Sequence, residues 1–66
     1  MQNLMDELNR GEVTSIRGSV VDARFSDQLP PIYSLLRTGA EAEIAIEVLM
    51  QLDESHVRCI ALNPTQ

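Results

Sequence analysis

The residues best equipped for chemistry are few. Asp53, Glu54 and His56 fall in one short polar stretch, and Cys59 follows soon after. Carboxylate, imidazole and thiol are all metal-ligand types, but a metal site needs several ligands converging on one point. Here three of them crowd a single turn and His56 is the only histidine. A structural or solvated histidine is the expectation. Cys59 is the only cysteine, so no disulfide can form within the chain. Its alternation with Val57 and Ala61 marks it as a small buried hydrophobe. A reactive thiol wants basic neighbours, and although Arg58 is adjacent, adjacent strand residues point to opposite faces.

Glu12, Asp22 and Glu47 are carboxylates within candidate strands, and two such groups can in principle share general acid–base work. At the surface of a small barrel they are expected instead to face solvent or to pair with Arg17, Arg24 or Arg58. Ion pairs of that kind contribute about 0–1 kcal/mol each. No catalytic, cofactor-binding or metal-ligating residue emerges. All five basic residues are arginines. The lysine with which a P-loop reaches the β- and γ-phosphates therefore has no candidate here.

Composition narrows the remaining classes. A net charge of −5 repels phosphate backbones, and Phe25 and Tyr33 are too few aromatics for a base-stacking platform, so no nucleic-acid partner is expected. No run approaches the roughly 18 apolar residues of a membrane span. One unpaired cysteine and no signal-like segment fit a soluble protein of a reducing, cytoplasmic setting without direct membrane contact. Sixty-six residues make at most one domain, with a marginal core that a partner would help to stabilise.

The elements that must position these groups read mainly as strands. Residues 1–10 form an arm, disordered or weakly helical, in which Leu4, Met5 and Leu8 make a short apolar stripe. Residues 11–66 form the barrel domain. Glu12–Arg17 and Ser19–Phe25 are strand patterns, with Gly18 between them as the bend of one continuous ribbon. Val20, Asp22 and Arg24 share one face, and Val21, Ala23 and Phe25 the other. Ser26–Pro31 is a loop because Pro30 and Pro31 each fix φ and remove a backbone donor. Ile32–Arg37 is read as a short strand, and Thr38-Gly39-Ala40 as a turn. Glu41–Leu52 is rich in helix formers, yet Ile44, Ile46, Val48 and Met50 alternate with Ala45, Glu47, Leu49 and Gln51, which favours a strand. Asp53-Glu54-Ser55 turns the chain into His56–Leu62. The expected fold is all-β, a small antiparallel barrel of about five to six strands.

Four segments carry a family pattern. E-V-T-S-I-R-G-S-V-V-D-A-R-F (Glu12–Phe25) resembles the opening strands of F-type ATP synthase β subunits, roughly G-x-V-x-x-V-x-G-x-V-V-D-V-x-F. The likeness continues through Leu29-Pro30-Pro31-Ile32 (L-P-P-I) and through I-A-I-E-V-L-M-Q-L (Ile44–Leu52), which is similar to L-x-L-E-V-x-x-x-L. It ends in Val57–Leu62, similar to V-R-x-I-A-M/L. V-V-D-x-x-F followed by L-P-P-I favours the β over the related α subunit. Arg17 departs from the usual apolar residue, and Asn63-Pro64-Thr65-Gln66 from the commoner D-G-T-E. These departures point to a divergent bacterial subunit of the alternative ion-translocating type.

The resemblance implies a six-stranded barrel set in a crown of three α and three β subunits, at the cytoplasmic side of the membrane. ATP, ADP and magnesium would be handled by other parts of such a subunit. It also implies a further strand beyond Gln66, so the chain is read as truncated and its barrel as lacking the last strand. The expected partners are neighbouring α subunits, with Glu12, Arg17 and the Leu29–Tyr33 loop as candidate contacts. Self-association through exposed strand edges, strand exchange, or residues 1–10 folding over the gap would compensate for the missing strand. The alternative is a small barrel that binds an oligonucleotide or ligand without catalysis.

Overall fold

A strand with one apolar face must turn that face from water, and Val20–Phe25 has the plainest pattern for doing so. In the computed structural model, which describes residues 10–63, Val21, Ala23 and Phe25 are buried while Asp22 and Arg24 lie on the opposite face. The expected arm lies outside the described residues except for Arg10. The strands are β1 (Gly11–Arg17), β2 (Val20–Phe25), β3 (Leu35–Thr38), β4 (Ile44–Gln51) and β5 (His56–Ala61). They form one sheet in the order β1-β2-β5-β4-β3, with every neighbouring pair antiparallel. The all-β expectation is met.

Val48, Val57 and Cys59 are 0% exposed although the described residues supply no second layer. A single sheet can bury its own face only by curling over it, and this one forms a half-barrel. Val21, Ala23, Phe25, Ile46, Val48, Val57 and Cys59 make the core, with Leu29, Leu36, Ile44 and Ala61 packed against it. Among the described residues no helix is long and apolar enough to cross a membrane.

Four local expectations need correction. Gly18 does not bend a continuous ribbon. It opens a two-residue reversal with φ of +61°, which pairs Arg17 with Val20 and makes β1 and β2 a hairpin. Glycine at the first central position is what such turns favour. Ile32 and Tyr33 are not strand: they form a turn, and the third strand begins at Leu35. Thr38 ends that strand and does not open the following turn. Met50 leaves the core-facing series, because a bulge between Val48 and Met50 turns it to the outer face opposite Arg58.

A second bulge lies between Val13 and Ser15. It places Glu12, Ser15 and Arg17 on the outer face, opposite Arg24, Asp22 and Val20, while Val13 and Ile16 stay opposite the core residues Ala23 and Val21. Thr14, the extra residue, donates its hydroxyl to the Asp22 carbonyl at 3.2 Å.

Candidate functional site

The outer face gathers the charged side chains that the sequence singled out, and it pairs most of them with one another. Arg58 and Asp22 stand opposite on β5 and β2. Nε of Arg58 donates to Oδ1 of Asp22 at 2.9 Å, and Nη2 donates to Oδ2 at 3.0 Å. That fork-to-fork geometry is the strongest form of such a pair. The Arg58 hydrogen bonds hold the Asp22 carboxyl below its ordinary value, against the opposing pull of desolvation. The same bonds raise the Arg58 guanidinium. Arg24 donates from Nη2 to Oε1 of Glu12 at 3.1 Å, in the open where it contributes little. Arg17 lies on the same face and its charge also favours ionised Asp22.

The Asp53–His56 turn is a closed structural device. Oδ1 of Asp53 accepts from the Ser55 backbone N–H at 2.8 Å and lies 2.8 Å from Nδ1 of His56. The Ser55 bond, followed by the His56 contact, lowers the Asp53 carboxyl. Among the described residues no three His, Cys, Asp or Glu side chains converge on one point. Cys59 is fully buried between Val21 and Val48, its cross-strand neighbours. Burial pushes its thiol up to about 11, the reverse of what a nucleophile needs.

Backbone and apolar groups are left open on two surfaces. One is the gap between the sheet edges. Successive antiparallel pairings make β1 and β3 run in the same direction, and each has a single partner strand among the described residues. Between them lies a cleft of about 770 Å³, walled by Val13, Ala23, Phe25, Leu36 and Ile46 with Arg10 and Arg37 among its lining. Val13 and Ile16 face the core side of the sheet yet are 41% and 56% exposed, β1 having no described strand on its other side. One more strand, running opposite to both edges, would pair antiparallel with each and cover these residues.

The other surface is the turn before β3. Tyr33 has φ of +75°, a left-handed conformation that a bulky side chain rarely adopts. Its N–H donates to the Val48 carbonyl at 2.7 Å, and the Val48 N–H donates to Ser34 at 3.0 Å. Both the N–H and the hydroxyl of Ser34 donate to the Pro31 carbonyl, at 3.2 and 2.5 Å. These bonds hold the backbone of a residue that is 73% exposed. Ile32, Leu35, Leu49 and Met50 are exposed as well. Of the candidate contacts, Glu12 and Arg17 thus share the outer face, whereas Leu29 and Pro30 turn inward and Ile32 and Tyr33 outward. The exposure of Met50 went unread in the sequence, because a bulge after Val48 breaks the two-residue alternation.

Asn63 shows how one departure from the family pattern is accommodated. Its Oδ1 accepts from the Ala45 N–H at 2.9 Å, an acceptor that an aspartate would supply equally.

The beta-barrel domain of the ATP synthase alpha/beta family matches residues 13–66. An ATP synthase subunit beta 2 of Shewanella frigidimarina is 66% identical over 58 residues, covering 88% of this chain and 12% of that protein. A subunit beta 1 of Chlorobaculum tepidum is 64% identical over 56 residues, covering 85% of this chain and 12% of that protein. A subunit beta 1 of a Marinomonas species is 62% identical over 63 residues, covering 88% and 13%. The chain thus spans about an eighth of the length of these relatives.

Proposed function

The chain belongs to the ATP synthase alpha/beta family, as a domain similar to the N-terminal barrel of its β subunits, and from that premise we propose that it is an assembly module and not a reaction centre. Its place would be the crown of an alternating α/β hexamer, peripheral to the membrane, where it helps to hold together subunits that couple ATP synthesis or hydrolysis to ion transport. The observation that carries this reading is the division of the surface. Charged side chains such as Asp22, Arg58, Glu12 and Arg24 are engaged with one another, while strand edges and apolar turn residues stay open. That is the distribution expected of a surface built to be covered.

Nucleotide and magnesium belong to the proposed whole subunit. The residues of this chain do not fit them. It has no lysine, the best placed carboxylate, Asp22, is taken by Arg58, and the cleft is walled by Phe25, Leu36 and Ile46. No step of catalysis is therefore assigned to this domain.

The open edges of β1 and β3 also support self-association by strand addition when no other strand is supplied. Sedimentation of the chain alone, with an ATP synthase α subunit, and with single-stranded oligonucleotide tests these readings together. A complex with the α subunit and none with the oligonucleotide is the expected result. Oligonucleotide binding without α-subunit binding would favour the small binding-module alternative.

A further inference from the structure

An open strand edge accepts any strand unless its side chains restrict what fits. In a chain of net charge −5, β1 carries one acid and one base, Glu12 and Arg17. A strand paired antiparallel with its own copy sets some residue opposite itself, because the two-fold axis passes between identical positions. Glu12 and Arg17 are an odd number of residues apart, so in an unbroken strand they would lie on opposite faces and never meet. The bulge removes that obstacle. With Thr14 as the extra residue, Glu12, Ser15 and Arg17 share the outer face, and Val13 and Ile16 the core side. Centred on Ser15, β1 then offers the same chemistry in both directions. Glu12 falls opposite Arg17 of the copy, Val13 opposite its Ile16, and Ser15 opposite its Ser15.

The backbone agrees. Arg17 and Val20 close a two-residue turn as a hydrogen-bonded pair, which turns the N–H and C=O of Ile16 away from β2. Val13, beyond the bulge, presents its own in the same direction. Self-pairing sets these two residues against each other, where they can exchange hydrogen bonds, and covers side chains that are 41% and 56% exposed. Glu12 would lie between Arg24 of its own chain, 3.1 Å away, and Arg17 of the copy. β3 has no such match: centred on Leu36 it sets Leu35 against Arg37, and centred on Arg37 it opposes like charges. We propose that a second copy of this chain adds antiparallel to β1 about a two-fold axis at Ser15, with Glu12 and Arg17 fixing the register. The pairing is one form of the self-association by strand addition proposed above and rests on it. A strand that closed the cleft would use the same edge, so closure and this pairing exclude each other.

One short strand against its copy buries less than the roughly 1,200 Å² of a stable interface, so a weak, concentration-dependent dimer is expected in sedimentation equilibrium. Glu12→Arg sets arginine against arginine, and Arg17→Glu sets glutamate against glutamate. Each variant alone should dimerise on the order of tenfold more weakly. Mixed in equal amounts the two should form a heterodimer, because both pairs are then of opposite charge. Thermal midpoints show that each variant is folded, and Ser15→Cys tests the same axis with both charges in place. Its opposed Cα atoms would be about 4.5 Å apart, so a mild oxidant should link the copies, Cys59 being fully buried. Leu35→Cys on β3 should not link them. Unchanged dimerisation of the folded single variants, or no link through Ser15→Cys, would overturn this edge and register and leave self-association intact. An unsubstituted chain that stays monomeric at millimolar concentration would overturn both.

Discussion

Arg58 grips both carboxylate oxygens of Asp22 across the central strands β5 and β2, at 2.9 and 3.0 Å. The pair sits on the outer face one residue from Val57 and Cys59, whose side chains are fully buried on the other. It therefore ties the middle of the sheet at the register the core requires. Asp22→Asn keeps the shape and loses the charge, and its thermal midpoint should fall on the order of 5 °C. Arg58→Met, which leaves Asp22 unanswered at 13% side-chain exposure, should fall further.

The same pair sets the acid limit. Asp22 and Asp53 both titrate below their ordinary 3.8 in the folded chain. A depressed carboxylate contributes stability above its unfolded value, and that stability is lost as pH falls through the folded value. Stability should stay level from pH 7 to about pH 5 on this account and fall steeply below about 4. Urea titrations across that range should show a shallower acid slope in Asp22→Asn. An identical slope would assign the acid limit to other carboxylates.

Cys59 sets the opposite limit. Its thiol is raised to about 11 from 9.0, so the folded state holds its proton where the unfolded state has lost it. A raised acid contributes stability below the unfolded value, lost as pH rises through the folded one, here from about 9 to 11. At pH 8 a thiol reagent should label Cys59 only through opening of the sheet, at a rate that follows unfolding. Cys59→Ser leaves a hydroxyl in an apolar site and should cost about 1–3 kcal/mol. Rapid labelling under native conditions would show that the β2-β5-β4 centre opens locally.

How legible the fold was depends on where its causes lie. Val20–Phe25 and His56–Ala61 were readable because one face is buried and the other is not, which writes a period of two into the residues themselves. The same signal outweighed helix propensity in Ile44–Val48. It failed beyond Val48 because a bulge moves Met50 to the other face without changing any residue type. Gly18 was seen as special, but a bend and a hairpin both ask for glycine, and pairing across strands decides between them. Tyr33 left no local trace at all. Its backbone is set by Val48, distant in sequence, so only the folded sheet reveals the left-handed turn there.

Two turn residues test backbone strain apart from any interface. Ala42 has φ of +57° in the exposed turn between β3 and β4, and Ala42→Gly should stabilise by about 0.5–1 kcal/mol. Gly39 in the same turn has φ of +97°, and a Cβ there would meet the Glu43 carboxylate at 2.6 Å. Gly39→Ala should destabilise by more than Ala42→Gly gains. Equal midpoints for both variants would mean that this turn adjusts freely and stores no strain.

The edge strands should betray what covers them. In the free chain, amide hydrogen exchange should be slowest in β2, β5 and β4, which pair on both sides, and faster in β1 and β3, which pair on one. Gly11 controls how closely β1 lies on its neighbour, because a Cβ there would meet the Phe25 ring at 2.7 Å and the Arg24 carbonyl at 2.8 Å. Phe25 is buried and the carbonyl is backbone, so neither yields easily. Gly11→Ala should cost about 1–3 kcal/mol and speed exchange in β1 more than in β3. An added strand in the cleft pairs with both edges at once, so it should slow Val13 and Ile16 on β1 together with Leu35 and Arg37 on β3. Protection of β1 without β3 would mean that a covering segment lies against one edge and does not close the barrel.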